Sequence, residues 1–340
     1  MSPPVLGGSP VWDLPARRAA NPSATDEAAV RWADATGLCQ GPAESGKLRL
    51  VRPGLLAAWT HPAADEADLA LVAMWMSWLF LLDDRIDEGA LGRDTDLLEL
   101  RLQDLQAVAL GVSGPTTSMG RGLAEIIGLA GGGMPTWWRL RFRRNVADYL
   151  AACVWQAAHR QAGQVPAPAD FPARRRAFGA IIPSFDLIER TDGVLLAPSV
   201  HCSRPYQVLL LAAADLVCWT NDLMTAGKEA ALGDPHNLVL VTAHHEKLDR
   251  PAAARIVSAG CERRLRDHAR ARRELGALLS GVKEGPDRSR AWQARQVRQA
   301  EYCADALLLW VRGHLEWGLV TPRYDHDVPD DGRGTRVGTR

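Results

Sequence analysis

The chain has 340 residues, 47% hydrophobic and 24% charged, enough apolar material for one large core or two ordinary ones. Its 40 basic and 40 acidic side chains cancel to a net charge of zero, which removes any global electrostatic case for nucleic acid or an anionic membrane as partner. The six cysteines (Cys39, Cys153, Cys202, Cys218, Cys261 and Cys303) are scattered without a Cys-x-x-Cys pair, so they read as buried free thiols. The N-terminus shows no leader pattern and no apolar run reads as long enough to span a membrane, so a cytoplasmic chain is expected.

Residues 1–25 are rich in Pro, Ser, Gly and Ala without periodicity and read as an irregular strap that Trp12 and Leu14 pin to the body. A helical pattern runs from Asp26 to a stop at Gly37. Ala64 to Asp87 reads as a long helix, with Leu69, Leu71, Val72, Trp75, Met76, Leu79 and Phe80 covering more than one face, as in an interior helix. Leu97 to Gly111 is Leu-rich; a Gly/Pro/Ser/Thr loop and a short helix lead to a break at Gly131–Gly133. Trp137 to Gly163 is the next long helix, and Asp170 to Glu189 is helical with a kink expected at Gly179 and Pro183. Pro205 to Glu229 is apolar nearly all round, and Asn237–His245, Pro251–Leu279 and Arg288–Gly318 complete the set. No stretch alternates with period two, so the expected fold is all-α, about ten helices in a single domain over 26–326, with a flexible tail at 327–340.

Two polar clusters interrupt this apolar pattern. Leu79-Phe80-Leu81-Leu82 runs directly into Asp83-Asp84-Arg85-Ile86-Asp87, and helical spacing sets Asp83, Asp84 and Asp87 side by side. Three adjoining carboxylates repel one another unless a hard cation joins them, and Mg²⁺ takes oxygen ligands completed by water and substrate phosphates. The plain competitor is a solvated acidic helix end. The second cluster is Asn221, Asp222, Thr225, Lys228 and Glu229, in which an amide, a hydroxyl and a carboxylate climb one stripe at i, i+4 and i+8. These too are hard oxygen donors, with Lys228 beside them as a counter-charge for a diphosphate; a polar stripe of no consequence is the alternative.

Together, Asp83-Asp84-x-x-Asp87 and Asn221-Asp222-x-x-Thr225-x-x-x-Glu229 resemble the two metal motifs of bacterial class I terpene synthases. The resemblance extends to Trp12–Pro22, to Gly233-Asp-Pro-His-Asn-Leu-Val239, and to Trp310 through Thr321-Pro-Arg323-Tyr324, about nine-tenths of the chain. It implies the helical barrel of the class I terpenoid synthases. It also implies three Mg²⁺ held by Asp83, Asp84, Asp87, Asn221, Thr225 and Glu229, and a diphosphate bound by Lys228, Arg323, Tyr324 and a sensor arginine. Alignment on Gly179 selects Arg174 as that sensor, with Ala177 where the family has Thr; counting back from Asn221 selects Arg175; Arg176 reads as a solvated surface residue.

By the same resemblance Leu79, Phe80, Phe178 and Trp310 line a dry pocket whose aromatic faces stabilise cations, whereas Trp75, Trp78, Trp155 and Trp219 read as core, and His244 and His245 as surface. The implied reaction is cyclisation of a linear prenyl diphosphate, farnesyl diphosphate first and geranylgeranyl diphosphate second, since Ala212–Ala214 could widen the cavity; a C10 substrate comes after these. A chain-elongating prenyltransferase would carry two Asp-rich motifs, and a non-catalytic binding protein would have lost a ligand. The prenyl diphosphate is the expected partner, without nucleic acid or membrane, and a homodimer is one candidate assembly.

Overall fold

The computed structural model describes residues 9–87, 94–281 and 289–324, the side chain of Asp87 excepted. Residues 1–8 of the strap and the whole tail lie outside it. Among the described residues every regular element is a helix: α1 (Pro22–Ala35), α2 (Pro42–Val51), α3 (Pro53–Thr60), α4 (Glu66–Asp87), α5 (Thr95–Leu110), α6 (Ser118–Gly131) and α7 (Thr136–Gln161). The second half holds α8 (Phe171–Phe178), α9 (Ile181–Thr191), α10 (Pro198–His201), α11 (Arg204–Leu232), α12 (Leu238–Glu246), α13 (Arg250–Ser280) and α14 (Arg290–Gly318). Fourteen α-helices among the described residues replace the ten expected, chiefly because α2, α3 and α10 are short and begin at proline, which is tolerated at N1, where the missing N–H costs nothing.

Local chemistry sets the ends. Asp94, Thr117, Asp249 and Ser289 cap α5, α6, α13 and α14 by accepting backbone N–H groups of Leu97, Gly120, Ala252 and Trp292. Gly111 and Gly233 stop α5 and α11 in the left-handed region at φ 73° and 71°. The expected kink falls between α8 and α9, at Gly179 and at Ala180 with φ 53°. Pro183 sits in the first turn of α9, a position that needs no N–H, so it does not break the helix.

The helices α4, α9, α11 and α14 pack around one interior, with α13 laid along α11 and α3 against α4 and α14. Trp75 and Trp78 of α4 stack at 5.7 Å in the buried core, their indole N–H groups donating to Ser184 Oγ and the Met119 carbonyl, both at 2.9 Å. The strap is held where α14 passes: Arg312 lies over the Trp12 ring at 5.2 Å and donates to the carbonyls of Trp12 and Leu14. Helices α3 and α14 cross in contact at Gly313, where a Cβ would fall 2.3 Å from the Trp59 carbonyl oxygen.

Two sequence expectations need correction. Cys202 is exposed and Cys39 half-buried, because each lies at the edge of a short connection; the other four thiols are buried. One described helix, Arg204–Leu232, is long and apolar enough to cross a membrane, with 78% of its apolar window buried inside the fold.

Candidate active site

The Asp-rich cluster forms the last turn of α4, where the apolar helix emerges from the core: Leu81, Leu82 and Ile86 are buried, while the Asp83 side chain is 50% exposed. The oxygen ladder of α11 lies on a stripe whose flanks, Cys218, Trp219 and Leu223, are buried. Thr225 Oγ donates to the Asn221 carbonyl at 2.9 Å, which leaves its lone pairs as acceptors.

A turn at Pro322–Tyr324 joins the two clusters. Arg323 donates to Asp83 at 2.5 Å and Asp84 at 2.6 Å, its carbonyl accepts from Lys228 Nζ at 2.7 Å, and the Tyr324 hydroxyl accepts from Asn221 Nδ2 at 2.6 Å. One dipeptide therefore spans both motifs. Burial alone would lower the Arg323 pKa, but Asp83 and Asp84 hold it above its ordinary value. The Arg323 guanidinium lies 5.0 Å from the centre of Phe80, which stacks on Trp317 at 5.5 Å, so Phe80 presents its face to a cation.

The three consecutive arginines of α8 diverge, as helical steps of about 100° require. Arg174 is exposed and lies over Trp155 at 5.2 Å. Arg175 is 8% exposed, donating to Asp222 through Nε and to Asn221 Oδ1 through Nη2, both at 2.8 Å. Arg176, expected in solvent, instead pairs at 2.5 Å with the buried carboxylate of Asp215, which Arg264 also meets at 2.8 Å. Of the two sensor candidates, only Arg175 is brought to the ladder.

Burial together with the nearby Asp222 pushes the Glu229 carboxyl up to about 8, although Asn237 donates to it at 2.7 Å. Asp222 is likewise raised by burial, against the pull of Arg175. On α14, Trp310 is buried edge-to-face with Phe185 at 5.3 Å and stacked on His314 at 6.0 Å. Burial and the charge of Arg175 hold His314 down to about 4, so it is neutral at pH 7 beside Tyr324. Phe178 meets Arg175 at 5.0 Å and stacks on Trp155 at 6.4 Å, so Trp155 adjoins the site more closely than a core residue would. Leu79 is half-buried against the core, and His244 and His245 are exposed.

Sequence reasoning gave no role to Asp222, Asn237 or His314. The first two had a signal: an acid inside the second motif, and an asparagine directly before an apolar helical run. His314 had none. Among the described residues no three His, Cys, Asp or Glu side chains converge as a ready-made cage. The donors are instead mixed, and carboxylate, amide and hydroxyl oxygens suit a hard divalent ion that shares its coordination with a phosphate.

The family model for terpene synthase family 2, C-terminal metal binding, matches residues 74–267. A curated relative, (-)-delta-cadinene synthase of Streptomyces clavuligerus, is 58% identical over 325 residues, covering 95% of this chain and 97% of the relative. The (+)-T-muurolol synthase of Roseiflexus castenholzii, described as (2E,6E)-farnesyl diphosphate cyclizing, is 30% identical over 301 residues, 88% of each chain. Among solved structures, wild-type cucumene synthase aligns with a TM-score of 0.76 at 26% identity, covering 90% of this chain and 98% of that one. Germacradien-4-ol synthase from Streptomyces citricolor aligns at 0.75 and 25%, covering 89% and 95%.

Proposed function

The chain belongs to the bacterial class I terpene synthases, metal-dependent lyases of prenyl diphosphates, and from that premise we propose that it ionises farnesyl diphosphate and cyclises the cation to a sesquiterpene. The observation that carries this reading is the Arg323–Tyr324 turn, which ties the Asp83–Asp84 carboxylates to Lys228 and Asn221 within hydrogen-bond reach. A group bound there is in reach of both oxygen-donor clusters and of several cationic side chains at once, which suits a diphosphate.

Asp83, Asp84 and Asp87 from α4, and Asn221, Thr225 and Glu229 from α11, would hold the Mg²⁺, three ions by family likeness. When bound, Mg²⁺ supplies Lewis-acid stabilisation of the charge that develops on the leaving diphosphate. Arg175, Lys228, Arg323 and the Tyr324 hydroxyl are the donors for the diphosphate oxygens; a planar guanidinium can give two parallel N–H bonds to one phosphate. Arg174 lies over Trp155 instead of bonding to the ladder and takes no part in this reading.

Departure of diphosphate leaves an allylic cation that water would trap, so the remaining wall has to be dry. Buried Trp310 and Phe185, with half-buried Leu79, Phe80 and Phe178, supply apolar surface next to the ionic end. Support for the C15 substrate comes from the relatives, whose names include a cyclase of (2E,6E)-farnesyl diphosphate. The cadinane skeleton named in the 58% identical relative is the first product to look for.

The test is incubation of purified protein and Mg²⁺ with geranyl, farnesyl and geranylgeranyl diphosphate separately, each with an EDTA control, followed by gas chromatography and mass spectrometry. A cyclic C15 product that vanishes with EDTA is expected. A cyclic C20 product formed in place of it would overturn the substrate, and diphosphate release insensitive to EDTA would overturn the metal reading.

A further inference from the structure

The segment between α11 and α12, Gly233 to Asn237, carries no assigned role, yet it is fixed from both sides. Asp234 accepts from the His236 backbone N–H at 3.0 Å, contacts His236 Nδ1 at 2.6 Å, and pairs with Arg160 of α7 at 2.6 Å. The His236 ring packs edge-on to Trp155, His159 and Phe178, with centroids 5.8, 6.2 and 6.1 Å away. A loop pinned in this way delivers its next residue, Asn237, back against α11, where it is fully buried.

Asn237 uses both ends of its amide. Oδ1 accepts the Val239 and Leu240 N–H groups at 2.8 and 3.4 Å and so caps α12. Nδ2 donates to the Asp222 carbonyl at 2.8 Å and to Glu229 Oε2 at 2.7 Å, with Thr225 Oγ at 3.4 Å. The two N–H bonds are thereby committed. A flipped amide would set its oxygen against the Asp222 backbone carbonyl and its NH₂ against two N–H groups, so only one orientation is stable. The same first turn of α12 reaches the sensor: Leu238 N–H donates to Asp222 Oδ2 at 2.8 Å, and Asp222 Oδ1 holds Arg175 Nε.

We propose that Asn237 is a positioning residue for the metal and diphosphate site: its cap-locked amide occupies one oxygen of Glu229 and leaves the other to face the bound cation, while the turn it caps holds Arg175 through Asp222. This rests on the reading above that Glu229 is a ligand. Partners one step behind a metal ligand orient it, and their removal typically costs about 10–100-fold in metal affinity.

Asn237→Ser is the discriminating variant, since serine is as good a helix cap as asparagine but too short to reach Glu229. Calorimetric titration of Mg²⁺ in the presence of inorganic diphosphate, alongside thermal melting of the protein without either, separates positioning from mere support. The expected result is a melting midpoint close to wild type, with Mg²⁺-dependent diphosphate binding weakened about tenfold or more. If serine lowers the midpoint substantially, Asn237→Thr takes its place in the same titration, filling more of the volume and keeping a cap oxygen while still too short to reach Glu229; weakened binding is again expected. Unchanged binding in the folded variant overturns the role of Asn237, whereas no Mg²⁺-dependent diphosphate binding by the wild-type protein overturns the ligand assignment itself.

Discussion

Replacing Arg175 by methionine separates what this residue does for the fold from what it does for turnover. The guanidinium and the Asp222 carboxylate are both buried and bonded at 2.8 Å, with Asn221 Oδ1 as a second acceptor. Removing the cation leaves Asp222 with the Leu238 N–H and little else, and an uncompensated buried charge costs about 3–5 kcal/mol. With an m-value of about 3 kcal/mol/M or more for a chain of this size, the urea midpoint should fall by about 1 M; urea rather than guanidinium is the denaturant because it does not screen ion pairs.

Burial already raises the Asp222 pKa from 3.8 against the pull of Arg175, and without that pull it rises further. A folded-state value above the unfolded one costs stability as pH climbs from about 4 toward that value, so the deficit is larger at pH 8 than at pH 5. Asp222→Asn in the same background removes the charge and keeps an acceptor for Leu238, so it should restore most of the midpoint. On the proposal that Arg175 donates to the diphosphate, turnover stays depressed by about 10²-fold or more, since that donor is still missing. An Arg175→Met midpoint equal to wild type, or wild-type turnover in the double variant, would refute the reasoning.

The half-exposed Asp83 contributes little to packing, so Asp83→Ala should abolish or nearly abolish turnover while the far-ultraviolet circular dichroism spectrum stays unchanged; full activity would remove it from the site. Glu229, raised from 4.5 to about 8, carries a proton at pH 7 before metal binds. Because diphosphate itself sheds protons on binding Mg²⁺, the comparison is with Glu229→Gln: wild type should expel about one proton per chain more than the variant at that pH. Calorimetry in two buffers of different ionisation heat measures this, and equal release from the two proteins contradicts it. The raised carboxyl also means that the metal-free protein loses stability as pH climbs from about 4.5 to 8. Gly313→Ala forces a Cβ to within 2.3 Å of the rigid Trp59 carbonyl, which should cost at least about 1–3 kcal/mol in thermal or urea unfolding. A variant as stable as wild type would mean that α3 and α14 slide apart freely.

Long elements were legible because their apolar faces repeat over several turns: α4 and α11 show in the sequence as helices buried on most sides, and so they are. Helix α3 escaped because Pro53 to Thr60 is buried almost throughout and only eight residues long, which leaves no periodicity to detect. In the site, Asp83, Asn221 and Glu229 follow from spacing along single helices. Choosing among Arg174, Arg175 and Arg176 does not, because neighbouring residues point to different partners and only the placement of α8 against α11 decides which one meets Asn221. Asn237 belongs to this second class, since its bond to Glu229 exists only after the loop has turned back.

The apolarity of α11 has a consequence for the birth of the chain. Its dry faces are covered by α13 and α14, both of which lie downstream in the sequence and so leave the ribosome after it. At about 5–20 residues per second, α11 waits on the order of seconds for its cover. During that interval a segment with the length and hydropathy of a membrane span stands without its partners, readable by any chaperone or targeting factor that surveys emerging hydrophobic helices. The helix that carries Asn221, Thr225 and Glu229 is thus also a point at which synthesis is exposed to aggregation and misdelivery.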